Sequence, residues 1–371
     1  MKANLGTIFN SLALLGLSVG LAACSGQRLG NTGNTGNTGD AGAGGAVRLQ
    51  GSGSSFVKPV MDKWTSEYGK ANPNIKADYQ STGSGAGIKA IQGQTVDFGA
   101  TDAAMTEEEI KGSPSEIMHI PVVLGAVVLT YNLEAVKQPL RLSPDVIADI
   151  FLGKIRKWDD ERIKADNPNA ALPSTDITPV YRSDGSGTSD VFTDFLSQLS
   201  PEWKEKVGRT KNPQLPQGVG IGAKGNDGVM GQVKQTPNTI GYVELTFARA
   251  NNLPAALVKN SAGTFVEPNS DTVTAAASGV LANAPADLRM AITNSAGADA
   301  YPIAGVTYAL IYKEQKDSVK GKALVDFLWW VTHDGQNFTK DLHYSPIPAG
   351  LVTRVEEKLK SIAAGGKPLR P

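Results

Sequence analysis

The residues in this chain whose types and spacing could do chemistry are hydroxyls, glycines and a few placed charges. Val180 to Leu196 reads VYRSDGSGTSDVFTDFL. A strand-like end (Val180, Tyr181) is followed by Arg182 and Asp184, then by Gly185, Ser186, Gly187 and Thr188. After these, Val191, Phe192, Phe195, Leu196 and Leu199 recur at helical spacing. Hydroxyls and unshielded backbone N–H groups at a helix start, with an arginine just upstream, suit an anion. Two more loops have the same make-up: GSGSSF (Gly51 to Phe56) and STGSGAG (Ser81 to Gly87). Each follows a strand-like run and opens a helix-like one. A helix N-terminus carries roughly half a positive charge, so three that converge would hold an anion without lysine. Singly, each loop is ordinary helix capping. The repetition at three strand-to-helix junctions is what favours a binding site.

Asp102 ends VDFGATD, also just past a strand-like run. It either caps the helix that TEEEI begins or belongs to the same site. A carboxylate at an anion site repels the ligand, unless the ligand carries a proton to donate to it.

Catalytic readings find little support. Ser55-Phe56-Val57-Lys58 fits S-x-x-K, but the S-D-N and K-T-G partners of acylating enzymes are absent. There is no G-x-S-x-G elbow, no G-x-x-x-x-G-K-[ST] loop and no H-E-x-x-H; the only histidines are His119, His333 and His343. No nucleophile, base and orienter assemble, and an enzyme is not expected. Cys24 is the single cysteine, which leaves no intramolecular disulfide and no cysteine-based metal site. Lys+Arg and Asp+Glu are each 36, so there is no basic excess for general nucleic-acid binding. Any anion site must therefore work through local dipoles and one or two charges.

These residues sit in a chain of 371, long enough for about two domains, with 40% hydrophobic and 19% charged residues. Near the start, SLALLGLSVGLAAC is too short to span a bilayer comfortably and ends like a signal peptide. Leu21-Ala22-Ala23-Cys24 resembles a bacterial lipobox, which implies cleavage before Cys24, its acylation, and a membrane tether outside the cytoplasm. Residues 25–45, with three Gly-Asn-Thr units, read as a flexible leash whose mean reach is on the order of 25 Å. From Ala46 onward strand-like and helix-like runs alternate. VRLQG, IKADYQ, VDFGATD, HIPVVLGAVVLTYN, ITPVYRS, TIGYVEL and YPIAGVTYALIY read as strands. The run from Phe56 to Lys70, GAGIKAIQ, SPDVIADIF, SVKGKALVDFLWWVTH and LVTRVEEKLKSIA read as helices. This alternation predicts an α/β fold with largely parallel sheets, which binds ligands beyond the carboxyl ends of its strands.

With these stretches in view, the chain resembles the phosphate-binding proteins of bacterial phosphate-specific ABC importers, which are substrate-binding lipoproteins. GSGSSFVKPVMDKW, VDFGATDAAM, FLGKIRKWDDERI, RSDGSGTSDVFTDFL, KGNDGV, IGYVE and GKPL carry the resemblance, which spans nearly all of 46–371. It implies a two-lobed, type II periplasmic-binding-protein-like fold that closes on one phosphate in the cleft between lobes. It also implies no catalysis, cofactor or metal, and a monomer. Phosphate would pass to a permease of two transmembrane subunits and an ATPase. The protein would be extracytoplasmic, in the periplasm or at the cell surface, lipid-anchored through Cys24 after a signal peptide at 1–23 and a linker at 24–45. One lobe would hold 46–129 and 306–371 and the other 130–305. VVLGAVVLTYN and YPIAGVTYALIY would cross between them.

Carried over by position, Ser55 would bind phosphate through its hydroxyl and N–H, Phe56 through its N–H, and Ser84 through its hydroxyl. Asp102 would accept from the phosphate OH. Arg182 would be the single cation, held by Asp184, with Ser186, Gly187 and Thr188 as the remaining donors. Serine stands at Ser55 where the family usually has threonine. Gly85 stands where it often has a second serine, leaving a backbone N–H to serve. This reading resolves the role of Asp102, since phosphate near neutral pH keeps a proton and sulfate keeps none. Sites built to hydrogen-bond an OH reject analogues lacking it by roughly 10⁴–10⁵. A phosphate sensor or surface protein without transport, and arsenate as ligand, fit the same residues.

Overall fold

The computed structural model describes residues 46–370. The expected signal peptide, Cys24 and the leash lie outside the described residues. Eight strands build the main sheet: β1 (Val47–Gly53), β2 (Ile75–Ser81), β3 (Phe98–Thr101), β4 (Ile117–Tyr131), β5 (Thr178–Arg182), β6 (Ile221–Ala223), β7 (Thr239–Glu244) and β8 (Ala304–Tyr312). Their order is β2-β1-β3-β8-β4-β7-β5-β6. The helices that matter for the site are α1 (Lys58–Ala71), α2 (Ser84–Gln92), α3 (Glu107–Lys111), α4 (Pro144–Phe151), α5 (Gly187–Leu199) and α6 (Gly225–Gln235). Near the C-terminus come α7 (Ser318–Thr332) and α8 (Ala349–Lys360).

β4 organises the molecule. All fifteen of its residues, IMHIPVVLGAVVLTY, are buried, which is why it reads as a continuous apolar run and not as an alternation. Its first part, through Ala126, pairs with β8, and from Val127 it pairs with β7. One strand thus serves two half-sheets. Pro121 lies within it, and proline cannot donate to a ladder. The pairing slips there: Thr307 faces Val123 while Tyr308 faces Pro121, so Val122 is the extra residue of a bulge.

The sheet is parallel only in its wings. β1 pairs parallel with β2 and β3, and β5 parallel with β7 and β6. The central pairings, β3–β8, β8–β4 and β4–β7, are antiparallel. This departs from the largely parallel sheet expected from alternation. The chain leaves the first half along β4 and returns along β8, so these neighbours must run in opposite directions.

A second difference concerns the segment expected in the second lobe, 130–305. Its residues 284–290 bond to the first half: Tyr308 Oη donates to Met290 O at 2.7 Å, Arg354 donates to Ala284 O at 3.0 Å, and Arg289 pairs with Glu107 at 2.6 Å. Sequence position between the two crossing strands does not fix the side on which a loop packs.

The helices follow their apolar periods. α1 begins with Pro59 in its first turn and buries Val60, Met61, Trp64 and Tyr68 on one face; Trp64 Nε1 donates to Gly335 O at 2.7 Å. α5 buries its first ten residues, from Gly187 to Leu196, on every side. Its N-terminal half is therefore driven into the protein, and Leu199, expected on the apolar stripe, is only partly covered. No helix among the described residues is long and apolar enough to cross a membrane.

Candidate functional site

β1, β2, β3, β5 and β6 each end where a loop turns into the site. After β1 come Ser54 and Ser55, after β2 comes Ser84 at the start of α2, and after β3 comes Asp102. After β5 come Asp184 to Thr188 at the start of α5, and after β6 comes Asn226 in the first turn of α6. Ser54, Ser55, Ser84, Asp102, Arg182, Ser186, Thr188 and Asn226 are all buried.

Asp102 is 3% exposed. Ser54 Oγ lies 2.6 Å from both of its carboxylate oxygens, Thr307 Oγ1 donates to Oδ1 at 2.9 Å, and Ser84 Oγ donates to Oδ2 at 3.4 Å. Burial lifts its pKa from 3.8 to about 6, against the pull of those hydroxyls and of the Arg182 charge. Asp102 does not cap α3. Thr106 does, accepting from Glu109 N at 3.1 Å, while the Glu109 side chain accepts from Thr106 N at 2.8 Å. The bland reading of Asp102 is thereby removed, and a buried carboxylate stands among hydroxyls.

Arg182 is 2% exposed, and its guanidinium grips Asp184 in a fork: Nε to Oδ1 and Nη2 to Oδ2, both at 2.7 Å. Asp184 also accepts from Gly225 N at 3.0 Å. Although burial opposes it, the Arg182 partner holds the Asp184 carboxyl below the usual range. The pair leaves the wall near neutral, and Arg182 Nη1 reaches Thr188 Oγ1 at 3.4 Å.

Ser186 is the N-cap of α5, its hydroxyl accepting from Ser189 N at 3.0 Å. Its own N–H donates to Lys211 O at 2.9 Å. The N–H groups of Gly187 and Thr188 open the helix, with no intrahelical acceptor. Gly187 sits so close to Asp102 that a Cβ there would lie 2.6 Å from Ser84 Oγ and 2.7 Å from Asp102 Oδ2. The start of α5 therefore abuts the Asp102 loop directly.

Two expected donors are engaged elsewhere. The Phe56 N–H donates to Ser54 Oγ at 3.0 Å, because that hydroxyl folds back over the turn to reach Asp102. The Gly85 N–H, expected to replace a missing serine, donates to Gly185 O, in the loop after β5, at 2.8 Å. A side chain at Gly85 would bring its Cβ to 3.1 Å from Gly185 Cα, so the glycine allows this close approach. The S-x-x-K pair does not assemble: Lys58 pairs with Asp62 on the outer face of α1, while the Ser55 hydroxyl is buried against Asn226.

Sequence reasoning missed Ser54, Asn226 and Thr307. Asn226 had a signal, since AKGND is a fourth strand-to-helix junction with a glycine, Gly225 at φ 73°. Thr307 had none, because it reaches Asp102 only through the antiparallel pairing of β8 at the bulge. The loops also meet through Glu109 and Lys211, whose Nζ lies 2.8 and 2.7 Å from the two carboxylate oxygens. Among the described residues no His, Cys, Asp and Glu cluster is placed to hold a metal ion.

Residues 35–334 match the family model described as a PBP superfamily domain. The chain is 41% identical over 312 residues to the phosphate-binding protein PstS of Xylella fastidiosa, 84% of each chain being covered. It is 41% identical over 323 residues to PstS of Methanocaldococcus jannaschii, 82% of each being covered. Among solved structures it is similar to a human phosphate binding apolipoprotein, with TM-score 0.68, 19% identity, and coverage of 87% of this chain and 100% of that one. It is also similar to a phosphate binding protein from Stenotrophomonas maltophilia, with TM-score 0.66, 19% identity, and coverage of 86% and 97%. The fold is the α/β fold of the periplasmic binding proteins.

Proposed function

The chain belongs to the PstS phosphate-binding proteins, and from that premise we propose that it holds one inorganic phosphate in the cleft and delivers it to an ABC importer. The family is one of binding proteins, not of enzymes. The observation that carries the reading is Asp102, a buried carboxylate set among hydroxyls and against the start of α5. Such a group is compatible with an anion only when the anion brings a proton. Ser55, Ser84, Arg182, Ser186, Gly187 and Thr188 supply donors around it, Asp184 orients Arg182, and the Phe56 N–H, held by Ser54 Oγ, is not among them. With Arg182 paired, hydrogen bonds and helix dipoles carry the affinity. Exclusion of water by the buried walls strengthens them.

In this reading 46–129 and 306–371 form one lobe and 130–305 the other, apart from 284–290, whose bonds run to the first. Phosphate contacts residues of both lobes and so favours the closed form. Cys24 tethers the protein to the outer side of a membrane, and the protein acts as a monomer. Calorimetric titration of the chain from residue 46 with phosphate and then sulfate tests the proposal. Tight phosphate binding without sulfate binding is expected, and arsenate should compete. Absence of phosphate binding would overturn the reading.

A further inference from the structure

Asn226 occupies an unusual position in the hydrogen-bond network. It is fully buried on α6, in the second half of the molecule, yet it reaches Ser55 in the first half. Its Oδ1 accepts from the Glu244 backbone N–H at 2.8 Å. That donor is fixed by the chain, so it sets the amide orientation and turns Nδ2 the other way. The two Nδ2 protons then have one partner each: Ser55 Oγ at 2.9 Å and Thr188 Oγ1 at 3.1 Å. The Asn226 backbone N–H donates to Ser55 Oγ as well, at 3.0 Å.

A serine hydroxyl has two acceptor lone pairs and one proton. Both lone pairs of Ser55 Oγ are taken by Asn226, so its proton must point elsewhere, toward the space between the loops. Thr188 Oγ1 is in the same condition, accepting from Asn226 Nδ2 and from Arg182 Nη1. We propose that Asn226 is a positioning residue that turns the Ser55 and Thr188 hydroxyls into obligate donors toward the anion. Because Asn226 and Ser55 lie in opposite halves, it orients Ser55 only when the cleft is closed, whereas Thr188, in the same half as Asn226, is oriented in either state. Closure and the donor character of Ser55 are thereby one event, and an open cleft leaves Ser55 free to accept as well as donate. This inference rests on the proposed phosphate site and adds a residue outside its direct contacts.

A double-mutant cycle on the protein tests it, with phosphate affinity measured by calorimetry. Asn226→Ala should weaken phosphate binding by roughly 10- to 100-fold, the effect of misdirecting two hydrogen bonds to a charged ligand. In a Ser55→Ala/Thr188→Ala background the same change should alter affinity by less than about 3-fold, because nothing remains to orient. Asn226→Ser follows the same two arms if the alanine variant does not fold, as judged by ligand-free melting. Wild-type affinity in Asn226→Ala, or an equal loss in both backgrounds, overturns the proposal while leaving phosphate binding intact. A wild-type protein that binds no phosphate overturns the proposal and the function together.

Discussion

Asp102→Asn removes a charge without changing shape, and its consequences can be worked out from the surroundings of that side chain. In the ligand-free protein the carboxyl has a pKa of about 6, against 3.8 for an unburied aspartate. That difference corresponds to about 3 kcal/mol of destabilisation by the buried charge. The sign follows from proton counting: between those two values the folded state holds a proton that the unfolded state has lost, so stability falls as pH rises. The cost is fully present above about pH 6 and gone below about pH 4. Asparagine removes it but offers one acceptor oxygen where Ser54, Thr307 and Ser84 now share two. One misplaced hydroxyl costs about 1 kcal/mol, leaving a net gain of about 2 kcal/mol at pH 8 that reverses to a net loss of about 1 kcal/mol toward pH 4. Calorimetric melting of the phosphate-free proteins at both pH values measures this. Binding should change the other way. The variant should lose several-fold in phosphate affinity and gain sulfate affinity by at least 100-fold, because an amide N–H can donate to sulfate where a carboxylate only repels it. Equal stability at pH 8 together with unchanged exclusion of sulfate would refute the account of Asp102.

Gly187→Ala would place a methyl 2.6 Å from Ser84 Oγ across the cleft. Phosphate affinity should fall by more than about 100-fold, and small-angle scattering should report a more open molecule, since closure is what the clash prevents. The Glu109–Lys211 pair, with side chains 28% and 11% exposed, bridges the loops. A Glu109→Gln/Lys211→Met cycle should give a coupling of about 1 kcal/mol in closure that shrinks in 1 M salt. His119 accepts the Met105 N–H through Nε2, and burial lowers its pKa to about 4. Its imidazole should stay neutral by NMR down to about that pH. It should withdraw stability as pH falls from about 6.5, because the unfolded state takes up the proton first.

Much of the site was legible because its signals are local. The loops at Ser55, Ser84 and Thr188 announce themselves by glycine and serine between a period of two and a period of 3.6, and Arg182 and Asp184 lie two residues apart. Asp102 could be singled out by type and place, but not freed from the capping alternative, since Thr106 and Glu109 show their reciprocal bonds only in three dimensions. The segment 284–290 was expected in the second lobe with the rest of 130–305, because its partners, Glu107, Tyr308 and Arg354, are remote in sequence or lie across the chain return.

By itself the sequence determined the α/β alternation, the fully apolar β4, the helix starts and the residue types that could meet an anion. Only the tertiary structure decided which donors face one another. Asn226 meets Ser55 across 171 residues, and Thr307 meets Asp102 across 205. The Phe56 and Gly85 N–H groups were spent on Ser54 and Gly185 by the same close packing. The reason is physical. Periodicity and capping depend on neighbours along the chain, whereas the direction of a hydroxyl proton depends on which lone pairs are already filled. Those are filled by groups that only the folding of the sheet brings within 3 Å.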